Sequence, residues 1–317
     1  MPDLANESMY RVLAICVAAL SFSLSAQTVA QGTEKFMFSF DPGEQKSYLQ
    51  KLTHTKEQRL PFGRSRTDVT QSETRISITR TPTGWDLVAR PLSVEMTRDG
   101  QRVDNPMLEL MTGIETVYRI DPDGNLLTIE GYEQFLSDME TQMEPAVFQA
   151  LASVLTVDAM EARDRAEWDG RISGYLGAEV SVGDTFESES TFQLPDQSVI
   201  TYQTITTIAG FEPCPAGRCV RIEQTYDSQS ENLAKFASEV ANEVADHVQG
   251  DDDLDNQVAK PDLATASISG RVSRLVHPET MTFFEESIER DMNFGNAKAS
   301  VLSASGLKET KTYEFVY

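Results

Sequence analysis

The residue types that most often carry chemistry are sparse in this chain. Its histidines are His54, His247 and His277. His54 falls in a strand-like run, His247 on an amphipathic helical stretch, and His277 directly before Pro278. Zinc hydrolases use His-Glu-x-x-His or a similarly close pair, so that one helix face supplies two ligands. No such pair occurs. The Gly-x-Ser-x-Gly turn that exposes a nucleophilic serine is missing, as is a glycine-rich phosphate cradle followed by lysine. Triads are defined by geometry and not by chain order, so an envelope hydrolase with a dispersed site stays open as an alternative. Its cheapest test is alanine replacement of the three histidines.

Acidic residues are too abundant to be a signal by themselves. Glu285, Glu286 and Glu289 offer paired carboxylates of the kind glycosidases use, but the chain holds 50 Asp and Glu. The i, i+4 spacing of Glu285 and Glu289 reads as an exposed face. Asp121-Pro122-Asp123-Gly124-Asn125 lacks the later ligands of a calcium loop and reads as a hairpin turn. The run Asp251-Asp252-Asp253-Leu254-Asp255 reads as a solvated loop, with calcium as its rival. No catalytic, cofactor or metal set emerges, and the expectation is a non-catalytic protein.

The cysteines are more telling. Cys16 lies in an apolar N-terminal run, which leaves Cys214 and Cys219 as a pair around Pro215-Ala216-Gly217. Redox pairs are usually Cys-x-x-Cys at a helix start. A pair enclosing a Pro/Gly turn reads instead as a disulfide clamping a hairpin. Such a short loop is worth about 2 kcal/mol on the chain-entropy model.

That reading needs an oxidising compartment, and the N-terminus supplies one. Arg11, the apolar run Val12 to Leu20 and the small residues up to Ala30 form a secretory signal, read as 1–30. The run is too short for a membrane anchor. Ile15 before Cys16 does not suit a lipid-attachment site. The expected address is periplasmic or extracellular. Net charge is −23, and removing Asp3, Glu7 and Arg11 (a net −1) leaves −22. Such a surface repels nucleic acid and anionic membranes.

The elements that must position these residues are mostly strands. Phe36, Phe38 and Phe40 alternate, as do Tyr48, Gln50 and Leu52, then Thr74, Ile76 and Ile78, then Leu87 and Ala89 with Val94. Arg98-Asp99-Gly100-Gln101 punctuates them as a turn. Between 131 and 168 the period becomes helical, with Tyr132, Phe135, Leu136, Met139 and Met143, then Pro145 opening a second stripe through Val147, Phe148, Leu151 and Leu155. Strands return from Ala178. A helix is inserted at 229–250, with Leu233, Phe236, Ala237, Val240, Val244 and Val248 on one face. Strands close the chain, ending on Tyr313, Phe315 and Tyr317. Terminal alternating aromatics also suit an outer-membrane barrel, although the helices interrupt any barrel series. The expected fold is one α+β domain over 31–317: a largely antiparallel, curved, half-barrel-like sheet with helices packed on one face.

Tyr118 to Leu126, Val182-Gly183-Asp184-Thr185-Phe186 and the segment Gly270 to Pro278 resemble a family of uncharacterised exported bacterial proteins known as a domain of unknown function. That resemblance implies an exported β-rich protein with no assigned catalytic residues. At fold level the plan is similar to periplasmic lipoprotein carriers, whose curved sheet and helices enclose an apolar cavity. The functional expectation is an exported envelope protein that binds an apolar ligand, a lipid or a protein partner.

Overall fold

The computed structural model describes residues 34–43, 45–59, 65–104, 106–143, 145–152, 155–193, 199–229, 234–235, 263–296 and 305–317. The leader 1–30, the acidic run 251–255 and His247 lie outside these. So does the inserted helix, apart from Ala234 and Lys235, which are helical.

Among the described residues, twelve strands form one antiparallel sheet. In chain order the elements are β1 (Lys35–Met37), β2 (Gln45–Arg59), β3 (Ser65–Thr81), β4 (Gly84–Arg98), β5 (Gln101–Arg102), β6 (Thr116–Ile120) and β7 (Leu126–Glu130). Then follow β8 (Glu179–Ser181), β9 (Thr185–Gln193), β10 (Val199–Cys214), β11 (Gly217–Gln229), β12 (Leu263–His277), β13 (Thr282–Asn296) and β14 (Ser305–Val316). The spatial order is β7-β6-β4-β3-β2-β14-β13-β12-β11-β10-β9, with β5 beside β4 and a separate β1–β8 pair. Helices α1 (Pro106–Thr112), α2 (Tyr132–Gln142), α3 (Pro145–Ala152) and α4 (Val157–Trp168) form the helical layer, and α4 runs on into a π-turn, Asp169–Ser173. The expected α+β plan holds in outline, but the sheet dominates and the helices are few.

Strict alternation explains the sheet's two faces. On β10 and β11, Ile200, Tyr202, Ile208, Val220, Ile222 and Tyr226 are buried, while Thr201, Gln203, Glu223 and Thr225 between them are exposed. One face is packed and one wet, as antiparallel sheets allow. On β4 the inward parity moves from Ala89 to Val94. The reason is a bulge where Glu73 faces Ser93 and Thr74 faces Pro91. Pro91 donates no N–H, so a break in the ladder is where a strand tolerates it.

The sheet curls. Arg165 on α4 donates to the carbonyls of Leu126 and Leu127 on β7, at 2.6 and 3.2 Å. Five residues later the Gly170 carbonyl accepts from Arg274 on β12, at 3.2 Å. On a flat sheet β7 and β12, seven steps apart, would be about 34 Å apart at about 4.8 Å per step. Five helical residues span about 8 Å. Only a strongly curved sheet brings both strands to one helix. Its ends, β7 and β9, do not pair with each other among the described residues. A barrel must close, so this is an open half-barrel with α4 and the π-turn strapped across its concave side.

Candidate functional site

The concave face is striped by register. At the end nearest the β2 start it is aromatic and apolar: Phe40, Tyr48, Ile78, Leu87, Phe283 and Tyr317 surround a cleft of about 330 Å³, measured out to its open mouth. The closed part of that cleft has room for only a couple of waters. Lys46 lines it as well, donating to Thr282 Oγ1 at 2.6 Å with its ammonium 4.7 Å from the Tyr317 ring centre. Burial lowers the pKa of Lys46 and pushes Tyr48 up to about 12. Tyr317 lies beyond the last β14–β2 pair, Val316 with Leu49. Its hydroxyl donates to the Phe283 carbonyl.

A buried ion-pair layer follows. Glu286 is 1% exposed. It accepts from Arg274 Nε at 2.7 Å and pairs with Arg171 Nη2 at 2.7 Å. Arg274 Nη1 also donates to Gln224 Oε1 at 2.7 Å, and Gln224 donates to Thr206 at 3.0 Å. Arg171, on the π-turn, pairs with Glu167 and lies 4.9 Å from the Phe283 ring centre and 5.5 Å from that of Tyr313. Two arginines and two carboxylates balance here, so the layer anchors the helical strap to the sheet.

Further along β2 lies a third row. Tyr226, Gly270, Arg290, Glu309, Lys56 and Asp68 are consecutive cross-strand partners from β11 to β3. A Cβ at Gly270 would sit 2.5 Å from the Glu289 carbonyl oxygen and would overlap the Tyr226 ring. The glycine therefore lets Tyr226 reach across β12 to accept from Arg290 Nε at 3.2 Å. Glu309 faces Lys56 Nζ at 3.3 Å, His54 Nε2 at 3.5 Å and Arg290 Nη1 at 3.6 Å. Burial pushes the Glu309 carboxyl up, but His54, Lys56 and Arg290 together outweigh it and hold the pKa at about 2. Burial lowers the pKa of His54 against the pull of Glu309.

The residues singled out in the sequence separate clearly. Cys214 and Cys219 form the disulfide, with Cα atoms 5.8 Å apart, across the β10–β11 hairpin whose turn is Pro215-Ala216. Asp121 makes the β6–β7 turn, its Oδ1 accepting from the backbone of Asp123 and Asn125 at 2.9 and 2.8 Å. His277 Nδ1 meets Thr280 Oγ1 at 3.3 Å, away from His54. Glu285 and Glu289 are exposed, on β13. Among the described residues no group of His, Cys, Asp and Glu is arranged to hold a metal ion. Glu309, Arg274 and Arg290 are missing from the sequence reading, and Glu286 appears there only as one of three neighbouring acids. Their signal was a charged residue on the inward parity of a strand, Glu286 sharing its face with Ile288 and Glu309 with Leu307.

No family model and no curated protein matches this chain, so the local motifs at 118–126, 182–186 and 270–278 do not establish the family they resemble. Among solved structures, one on lipid–protein interactions in lipovitellin aligns at TM-score 0.42 and 9% identity, covering 88% of this chain. The chain spans only 25% of that lipovitellin chain. DynF of the dynemicin pathway of Micromonospora chersina aligns at TM-score 0.21 and 6% identity, covering 93% of this chain and 90% of its own. The Pseudomonas aeruginosa protein OccK2 aligns at TM-score 0.17 and 7% identity, covering 86% and 97%. These scores lie below the level of a shared fold, and the functional reading rests on the geometry of this chain.

Proposed function

We propose that this is an exported, non-catalytic protein of the cell envelope that holds an apolar ligand on the concave face of its half-barrel. The aromatic cleft beside Lys46 carries the proposal. It sits where the helical strap meets the sheet, and its lining includes Tyr317, which lies past the end of the ladder. Concave, largely apolar sites with a few polar groups are where small molecules bind. The disulfide and the signal-like leader support export. The test is titration with the apolar fluorophore 1-N-phenylnaphthylamine. Wild type should bind it, and Leu87→Trp, which fills the cleft, should abolish binding while circular dichroism stays unchanged. Binding that survives Leu87→Trp places the ligand elsewhere.

The envelope-hydrolase reading finds one favouring observation, His54 held against Glu309. An esterase or glycosidase activity that His54→Ala removes would establish it. We propose that no such activity exists, because the charged groups acting on His54 are Glu309 and the ammonium groups of Lys56 and Lys311, which make it part of a buried ion-pair row.

A further inference from the structure

The middle of the concave floor holds more positive charge than it balances. Lys56 on β2, Lys311 on β14 and Arg290 on β13 come from three adjacent strands and share the inward face. Glu309 is the carboxylate that serves this group, pairing with Lys56 and Arg290. Lys311 stands apart. It is half-buried, and among the described residues no carboxylate lies within the 4.0 Å of an ion pair. Glu167 on α4 and Glu309 act on it only at longer range, and burial lowers the pKa of its ammonium. His54, its cross-strand partner, adds no fixed charge because burial favours the neutral ring. Asp68, opposite Lys56, is taken up by Arg66 and Arg98, so the three cations are left with Glu309 and, at longer range, Glu167, in a chain whose net charge is −23.

A second observation lies on the same floor. Among the described residues, the hydroxyls of Tyr202, Thr204 and Ser228 are buried without a hydrogen-bond partner. Thr204 is the cross-strand partner of Tyr226. Tyr202 packs edge-on to Tyr226, with ring centres 6.4 Å apart, and Tyr226 accepts from Arg290. Buried polar groups are normally satisfied, so donors without partners on the Tyr226–Arg290 side of this row describe a place for an acceptor-rich group. The way in is through the half-exposed part of the floor, where the Lys56 side chain is 25% exposed.

We propose that this floor binds the oxyanion of a ligand, a phosphate or carboxylate, with Lys311 and Lys56 as its ion-pair partners and the Arg290–Tyr226 side lending hydrogen bonds. The site is separate from the aromatic cleft. Lys46 and His54 are eight residues apart on β2, about 26 Å at about 3.3 Å per residue, and the Arg171–Glu286 layer lies between them. The proposal therefore goes beyond the apolar reading and does not depend on it.

Isothermal titration of the full chain at low ionic strength tests it with three probes: inorganic phosphate, monomeric dihexanoyl phosphatidylglycerol and the uncharged dihexanoylglycerol. At least one anion should bind. Lys311→Gln should weaken it at least about tenfold, the worth of one charge-assisted bond, and Lys311→Arg should restore it. Lys56→Gln, at a more exposed position, should weaken binding in the same direction and serves if Lys311→Gln fails to fold. Binding of phosphate alone assigns the site to a free anion. Binding of phosphatidylglycerol alone assigns it to a lipid headgroup. The proposal is overturned if neither anion binds, or if Lys311→Gln and Lys56→Gln bind as wild type does. It is also overturned if phosphate fails to bind while dihexanoylglycerol binds as tightly as phosphatidylglycerol.

Discussion

Glu309 is one carboxylate facing two cations and an imidazole, and its ionisation is coupled to the stability of the fold. Its pKa falls from 4.5 unfolded to about 2 folded. A depressed carboxylate stabilises the fold above its unfolded value and ceases to do so as pH falls through the folded one. Stability should therefore drop between pH 4.5 and 2, by about 3 kcal/mol from this group. Glu309→Gln should cost about 3–5 kcal/mol at pH 7, because it leaves Lys56 and Arg290 without their counter-charge, and should flatten the acid limb. Urea unfolding as a function of pH reads both effects, and a variant with wild-type stability at pH 7 contradicts the assignment. The sequence hid this residue by abundance. Fifty acids make no single one conspicuous, and only the inward parity it shares with Leu307 marks it. His54 was visible as a histidine, but its partners come from β14, more than 250 residues along the chain, and no spacing rule reaches that far.

At the scale of elements, the strap of α4 and the π-turn joins the two sides of the sheet. Glu286→Gln would leave Arg171 and Arg274 buried and short of a charge, with an expected cost of about 3–5 kcal/mol. Amide exchange across 157–173 should accelerate more than elsewhere; uniform acceleration would contradict the strap. Gly124 sits at φ +88°, where a Cβ would lie 2.6 Å from Leu176 Cδ1 and 2.7 Å from Phe40 Cβ. Its carbonyl accepts from Trp168 Nε1 at 3.0 Å. Gly124→Ala should therefore destabilise by about 2 kcal/mol or more, read as a lower thermal midpoint. Removing both cysteines should cost only about 2 kcal/mol, since the β10–β11 ladder already holds that hairpin. The strands, the turns at Asp99-Gly100 and Asp121–Asn125, and the helices at 132 and 145 were legible because their alternation and turn residues are local. Helix α4 was weakly legible. It contacts the protein on several sides, so Met160, Ala166 and Trp168 are buried without forming one stripe, and its charged residues Asp164 and Arg165 bond to Tyr118 and Leu126. The π-turn left no pattern at all, because it is imposed by the contacts of Gly170 and Arg171 with β12 and β13.

For the whole molecule, curvature is the property that makes the concave face. Alternation specifies which residues point inward, but not how far a twelve-stranded sheet bends. That is fixed by distant pairs such as Arg165 with β7 and Arg274 with Gly170. The cleft and the cation-rich floor exist only once the sheet is curved, which is why neither was readable in the chain. The central claim is that this face carries a non-covalent ligand in the cell. Native mass spectrometry of the protein purified from its own envelope tests it most directly. The account predicts a population heavier than the disulfide-bonded chain, whose extra mass is lost on denaturation and is reduced in Leu87→Trp. A single species at the apo mass, with no bound molecule recovered by solvent extraction, would contradict it.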